Sequence, residues 1–97
     1  MSKKEIIKII KDNNYIFSKY TIKKFAIFGS CVRGQLKKDS DIDIIVKFEK
    51  PTFKNFIYLA RELEKMLGRK VDLLTFSSLD KFLKPYILKE AEYIEGK

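Results

Sequence analysis

Ser40-Asp41-Ile42-Asp43-Ile44-Ile45-Val46-Lys47-Phe48 is the stretch that decides the fold. From Ile42 onward it is a β-branched and aromatic run of strand length, yet it opens with two carboxylates separated by one residue. Side chains alternate across a strand, so Asp41 and Asp43 share one face while Ile42, Ile44, Val46 and Phe48 share the other. The apolar face calls for a covering layer, and the acidic face calls for a reason. Their Cα atoms would lie about 7 Å apart, close enough for both side chains to lean toward one ion. Further along, Lys70 to Phe76 reads as another buried strand, and Asp72 interrupts it between Val71 and Leu73-Leu74. Strand propensity disfavours aspartate, and here it appears repeatedly at strand positions.

Two carboxylates about 4 Å apart repel by roughly 1 kcal/mol in water and about 4 kcal/mol at an effective dielectric of 20. A convergence of Asp41, Asp43 and Asp72 therefore requires protonation, pairing with lysines such as Lys70, or a divalent cation. The chain has no histidine and a single cysteine, Cys31. That excludes imidazole acid–base chemistry, histidine- or cysteine-cluster zinc sites and an internal disulfide. An all-oxygen donor set selects Mg²⁺ or Mn²⁺. Upstream, Phe28-Gly29-Ser30-Cys31-Val32-Arg33-Gly34 reads as a strand end turning tightly toward a short helix. Such a turn aims backbone N–H groups and the Ser30 hydroxyl beyond the sheet edge, where an anion can be held, with Arg33 as a nearby cation. The pattern is neither a P-loop nor a dinucleotide-binding turn.

The 97 residues suffice for one small domain, expected to span 1–97. Lysine and arginine number 21 against 13 acids, a formal charge of +8. The excess is mostly lysine and gives a diffuse field suited to an anionic partner. No apolar run approaches the ~20 residues of a membrane span, and the charged N-terminus lacks a secretory h-region. A soluble, cytoplasmic protein with no membrane partner is expected. Around the acidic strand, Lys3 to Asn13 reads as a helix with Ile6 and Ile10 on one face. Phe25 to Phe28 reads as a strand. Thr52 caps a long helix whose apolar stripe is Phe53, Phe56, Ile57, Ala60, Leu63, Met66 and Leu67, closed by Gly68. Ser77-Ser78 is expected to cap the next element, with Pro85 at a first helical position and a last helix over Tyr86 to Ile94. The order α-β-β-α-β-α predicts a small α/β (α+β) domain, a three- or four-stranded mixed sheet covered by helices.

Taken together, Gly29-Ser30, the Asp41-Ile42-Asp43 block and Asp72 on a later strand resemble the polymerase-β-like nucleotidyltransferase superfamily. The closer resemblance is to its minimal nucleotidyltransferase (MNT) domains. It extends over Phe-Gly-Ser-x2-Arg-Gly, Ser-Asp-Ile-Asp-Ile-Ile-Val, Leu-Gly-x2-Val-Asp-Leu-Leu and Ile-Leu-x-Glu-Ala, roughly Tyr20 to Ile94. The resemblance implies that Asp41, Asp43 and Asp72 form a metal-binding catalytic triad, with two Mg²⁺ ions and ATP as co-substrate. It implies that Gly29, Ser30 and Arg33 hold the triphosphate. Triphosphate, acids and two cations together leave an excess near −3, which Arg33 and nearby lysines would offset. The resemblance also implies an antitoxin that moves AMP onto a tyrosine hydroxyl (AMPylation) of a HEPN-domain RNase toxin, encoded by an adjacent gene. A domain of the same fold that neutralises its partner by binding alone is the alternative reading. A basic nucleic-acid binder ranks below both, because no exposed aromatic row is evident to stack bases. Self-association is compatible with the sequence. Base preference and the number of nucleotides transferred have no signature in it.

Overall fold

The structure, a computed structural model, describes residues 1–96. Its elements are helix α1 (Lys3–Asp12), helix α2 (Tyr15–Lys19), strand β1 (Ile22–Phe28), strand β2 (Ile42–Phe48), helix α3 (Phe53–Leu67), strand β3 (Val71–Thr75), helix α4 (Lys84–Glu90) and strand β4 (Glu92–Tyr93). The sheet runs β3-β2-β1-β4. β2 pairs in parallel with β3 and antiparallel with β1, and β4 closes the far edge antiparallel to β1. This is the mixed α+β sheet that the pattern calls for.

The two sheet faces are covered unequally. Ile42, Ile44, Val46 and Phe48 enter one core with Phe25, Ile27, Val71 and Leu73, covered by Ile6 and Ile10 of α1, Ile16 of α2, and Leu59, Leu63 and Leu67 of α3. The opposite face holds a smaller cluster, Ala26, Phe28 and Ile45, against which Leu74, Phe76, Leu79, Ile87 and Ala91 pack. Asp43 and Asp72 belong by alternation to this lightly covered side.

Local chemistry accounts for the long helix. The Thr52 hydroxyl accepts the Asn55 N–H at 3.0 Å, and Gly68 ends the helix in the left-handed region at φ 65°. Its buried seam is Leu59, Leu63 and Leu67, one turn apart, whereas Phe53, read as part of the stripe, stands 81% exposed. Leu63 is fully buried, so Leu63→Ala should lower unfolding free energy by about 3 kcal/mol, measured by urea titration.

Three expectations need correction. Helix α2 has no counterpart in the sequence pattern; it has no side-chain cap and is held by packing, with Ile16 buried and Phe17 tilted against Phe25 at 5.4 Å. Ser77 and Ser78 do not cap α4: they lie in a 3₁₀ turn in which Ser78 and Thr75 cap each other. The last helix begins at Lys84, with Pro85 second, and stops at Glu90 rather than reaching Ile94. Glu92 and Tyr93 instead pair with Ile27 and Ala26, and the Ile94 N–H donates to the Phe25 carbonyl at 2.9 Å. The unpaired edge of β1 wins this segment from its helical periodicity.

Candidate active site

Asp43 stands at the entrance to β2, opposite Phe28 of β1 on one side and Asp72 of β3 on the other. Asp43↔Asp72 is a direct register pair, so both carboxylates leave the same face of adjacent strands. Asp41 precedes the strand and is exposed, as is Asp72, while Asp43 is half-buried. Burial first, then the charges of Asp72 and Asp41, push the Asp43 carboxyl up from an ordinary 3.8 to about 6; Arg33 partly offsets this. Among the described residues none of these acids joins an ion pair. Pairing of Asp72 with Lys70 is therefore not what places it there.

Among the described residues no three acidic or sulfur groups close around a single point as a ready-made metal cage. The donor set is nevertheless of the hard, all-oxygen kind that suits Mg²⁺, and Asp43's raised pKa marks a place where positive charge would be welcome.

The turn after β1 fits closely against this acid. Gly29 has φ +76°, and a β-carbon there would overlap the Asp43 carboxylate oxygen, with its Cγ only 3.1 Å away. Ser30 follows in a 3₁₀ turn, Gly29–Cys31. The Cys31 thiol is buried and donates to the Phe28 carbonyl at 3.2 Å; burial and then Asp43 push its pKa up, which leaves it unreactive. The Gly29 N–H donates to the Glu90 carboxylate at 3.1 Å, and Arg33 Nη1 reaches both oxygens of the same carboxylate at 2.9 Å.

Asp41 is positioned by the preceding loop. Arg69, just past α3, donates through Nη2 to the carbonyls of Lys37, Lys38 and Ser40, the last two at 2.9 and 3.1 Å. The Ile42 N–H donates to the Lys70 carbonyl at 3.0 Å. A cavity of about 400 Å³ lined by Val46, Phe48, Phe76 and Lys84 lies at the other end of β2 and contains none of the acids. Asp72 is exposed on the thinly covered side, and Asp41 is exposed just before β2.

The structure brings Asp41, Asp43, Asp72 and Arg33 within electrostatic reach of one another, sets the Gly29–Cys31 turn with Ser30 against Asp43, and joins to them Glu90, from the Ile-Leu-x-Glu-Ala phrase, and Arg69. Arg69 carried no signal beyond being one of three arginines.

The Polymerase beta, Nucleotidyltransferase family matches residues 4–97. The chain belongs to that family. This nucleotidyltransferase is 42% identical over 77 residues to the protein adenylyltransferase MntA of Thermococcus cleftensis, covering 78% of each chain. It superposes with a TM-score of 0.81 and 29% identity on a structure assigned to the minimal nucleotidyltransferases, covering 95% of both. A chain of a toxin–antitoxin complex with AMP-PNP gives 0.70 at 26% identity, covering 100% of this nucleotidyltransferase and 75% of that chain.

Proposed function

We propose that this nucleotidyltransferase moves AMP from ATP onto a tyrosine hydroxyl of a partner HEPN-domain toxin and so acts as its antitoxin. The observation that carries this reading is the in-register pair Asp43–Asp72, with Gly29 pressed against the Asp43 carboxylate. The metal-bearing acids and the triphosphate turn of such an enzyme have to be neighbours, and the closeness of Gly29 to Asp43 supports that reading. The adenylyltransferase relative and the toxin–antitoxin neighbour support the choice of acceptor.

In this reading Asp41, Asp43 and Asp72 are the residues that would hold Mg²⁺. Bound there, such an ion would supply positive charge to offset that on the attacking and leaving oxygens. Gly29, Ser30 and Arg33 hold the triphosphate, and positioning it is what brings the α-phosphorus to the acceptor oxygen. The acceptor oxygen forms a bond to that phosphorus as the bond to the β-phosphate oxygen breaks, and pyrophosphate leaves. Asp72, exposed on the open face, either completes the ion's ligands or accepts the hydroxyl proton, a task for which no histidine is available. The basic surface, +8 overall, favours approach of an acidic partner.

Incubating the protein with labelled ATP, Mg²⁺ and a HEPN-domain partner should label one or more partner tyrosines, each with one or more AMP units, and mass spectrometry of peptides locates them. Label that appears equally with an Asp41→Asn, Asp72→Asn double variant would defeat the assignment.

A further inference from the structure

Glu90 ends the last helix, in the Ile87-Leu88-Lys89-Glu90-Ala91 segment, at a place where a carboxylate is electrostatically out of favour. A helix C-terminus carries partial negative charge and prefers lysine or arginine. The side chain is also only 30% exposed, and it stands close enough to Asp43 to add to the negative field there. Something must offset those costs. Its two oxygens take the Gly29 N–H, 61 residues away in sequence, and the Arg33 guanidinium, 57 away.

Arg33 is held on two sides. Nη1 is fixed by both Glu90 oxygens at 2.9 Å, and Nε donates to Gln35 at 3.3 Å. An arginine side chain carries about 2 kcal/mol of rotamer entropy, which a free side chain would lose on gripping a phosphate. Here that ordering is already done. With Nη1 and Nε engaged, Nη2 is the nitrogen left to face a ligand, and the Gly29 contact fixes its direction relative to the turn.

We propose that Glu90 is a positioning residue for nucleotide binding, clamping Arg33 and the Gly29 turn together so that Arg33 Nη2 meets the triphosphate. The inference rests on the nucleotide reading of the site given above. Glu90 touches no reacting atom; it acts through Arg33. It also couples α4 to the catalytic turn, so that the helix on the open face carries the clamp at its end.

A double-mutant cycle tests this by calorimetric titration of Mg-ATP into the wild-type chain, Glu90→Ala, Arg33→Ala and the double variant, with the unfolding temperature of each recorded. Glu90→Ala should weaken binding about tenfold, the worth of one charge-assisted hydrogen bond. In the Arg33→Ala background the same change should cost less than about twofold, because the group it positions is gone. Glu90→Gln keeps an acceptor for Gly29 and the same packing, so it should fold even where the alanine variant does not, and it should still bind Mg-ATP more weakly than wild type. A merely structural role would lower unfolding temperature and give additive penalties. Additivity, or a glutamine variant that binds as tightly as wild type or tighter, overturns the proposal. A wild-type chain that does not bind Mg-ATP overturns the nucleotide reading itself and this inference with it, whereas binding with additive penalties overturns only the clamp.

Discussion

Asp43→Asn should abolish adenylyl transfer while making the unliganded protein harder to unfold. The loss of transfer is expected to be about 10³-fold or more, since in the proposed mechanism the variant removes one of the charges that organise the reacting centre. The gain in stability comes from the same charge. The Asp43 carboxyl is pushed to about 6 in the folded chain from an ordinary 3.8. A folded-state pKa above the unfolded one means that the native state binds the proton more tightly. Its stabilising contribution is complete below pH 4 and is lost as pH rises through 6. Above pH 6 the wild-type protein therefore carries a penalty that a neutral asparagine does not. Because Asp43 is only half-buried, solvent screening reduces the full linkage value to about 1 kcal/mol. For a domain of this size that corresponds to roughly 5 °C in unfolding temperature. Thermal scans at pH 8 should show Asp43→Asn melting higher than wild type, and scans at pH 3.5 should show no difference. A variant that melts lower at pH 8 would mean that the Asp43 carboxylate holds the fold together rather than straining it.

How much of the molecule is legible in the chain depends on how far each signal reaches. Strand β2 and helix α3 declare themselves locally: alternation from Ile42 to Phe48 in one case, Thr52, a period near 3.6 and Gly68 in the other. Asp43 and Asp72 were legible because aspartate is out of place in a buried strand, and the parallel pairing of β2 with β3 converts that anomaly into a contact. Helix α2 and strand β4 have no such local mark. The former depends on Phe17 meeting Phe25, the latter on the vacant edge of β1, and both partners come from elsewhere in the chain. Glu90 sits inside the Ile-Leu-x-Glu-Ala phrase, but its role, like that of Arg69, was hidden for the same reason. Their partners are the Gly29–Arg33 turn and the loop carbonyls before Asp41, which lie far away in the chain.

Gly29→Ala and Gly34→Ala, made side by side, should separate backbone strain from damage to the site. Both glycines lie in the left-handed region, at φ +76° and +72°, so alanine at either costs about 1 kcal/mol of backbone strain. Their surroundings differ completely. A β-carbon at Gly34 meets nothing within 4 Å, whereas at Gly29 it lands on the Asp43 carboxylate, with Asp43 Cβ also only 3.4 Å away. The atom in the way is the tip of a side chain, so the fold can yield by swinging the carboxylate aside. The strands need not part. Gly29→Ala should therefore lose about 2 kcal/mol of stability but at least about 10²-fold in transfer, because a displacement of about 1 Å at a reacting centre carries that penalty. Gly34→Ala should lose a similar or smaller amount of stability and transfer AMP at close to the wild-type rate. The paired measurements are the initial rate of label transfer and the urea midpoint. Equal rates for the two variants would show that the close fit of Gly29 to Asp43 has no part in catalysis. A Gly29→Ala protein that is fully folded yet inactive would tie the turn and the acid into one working unit.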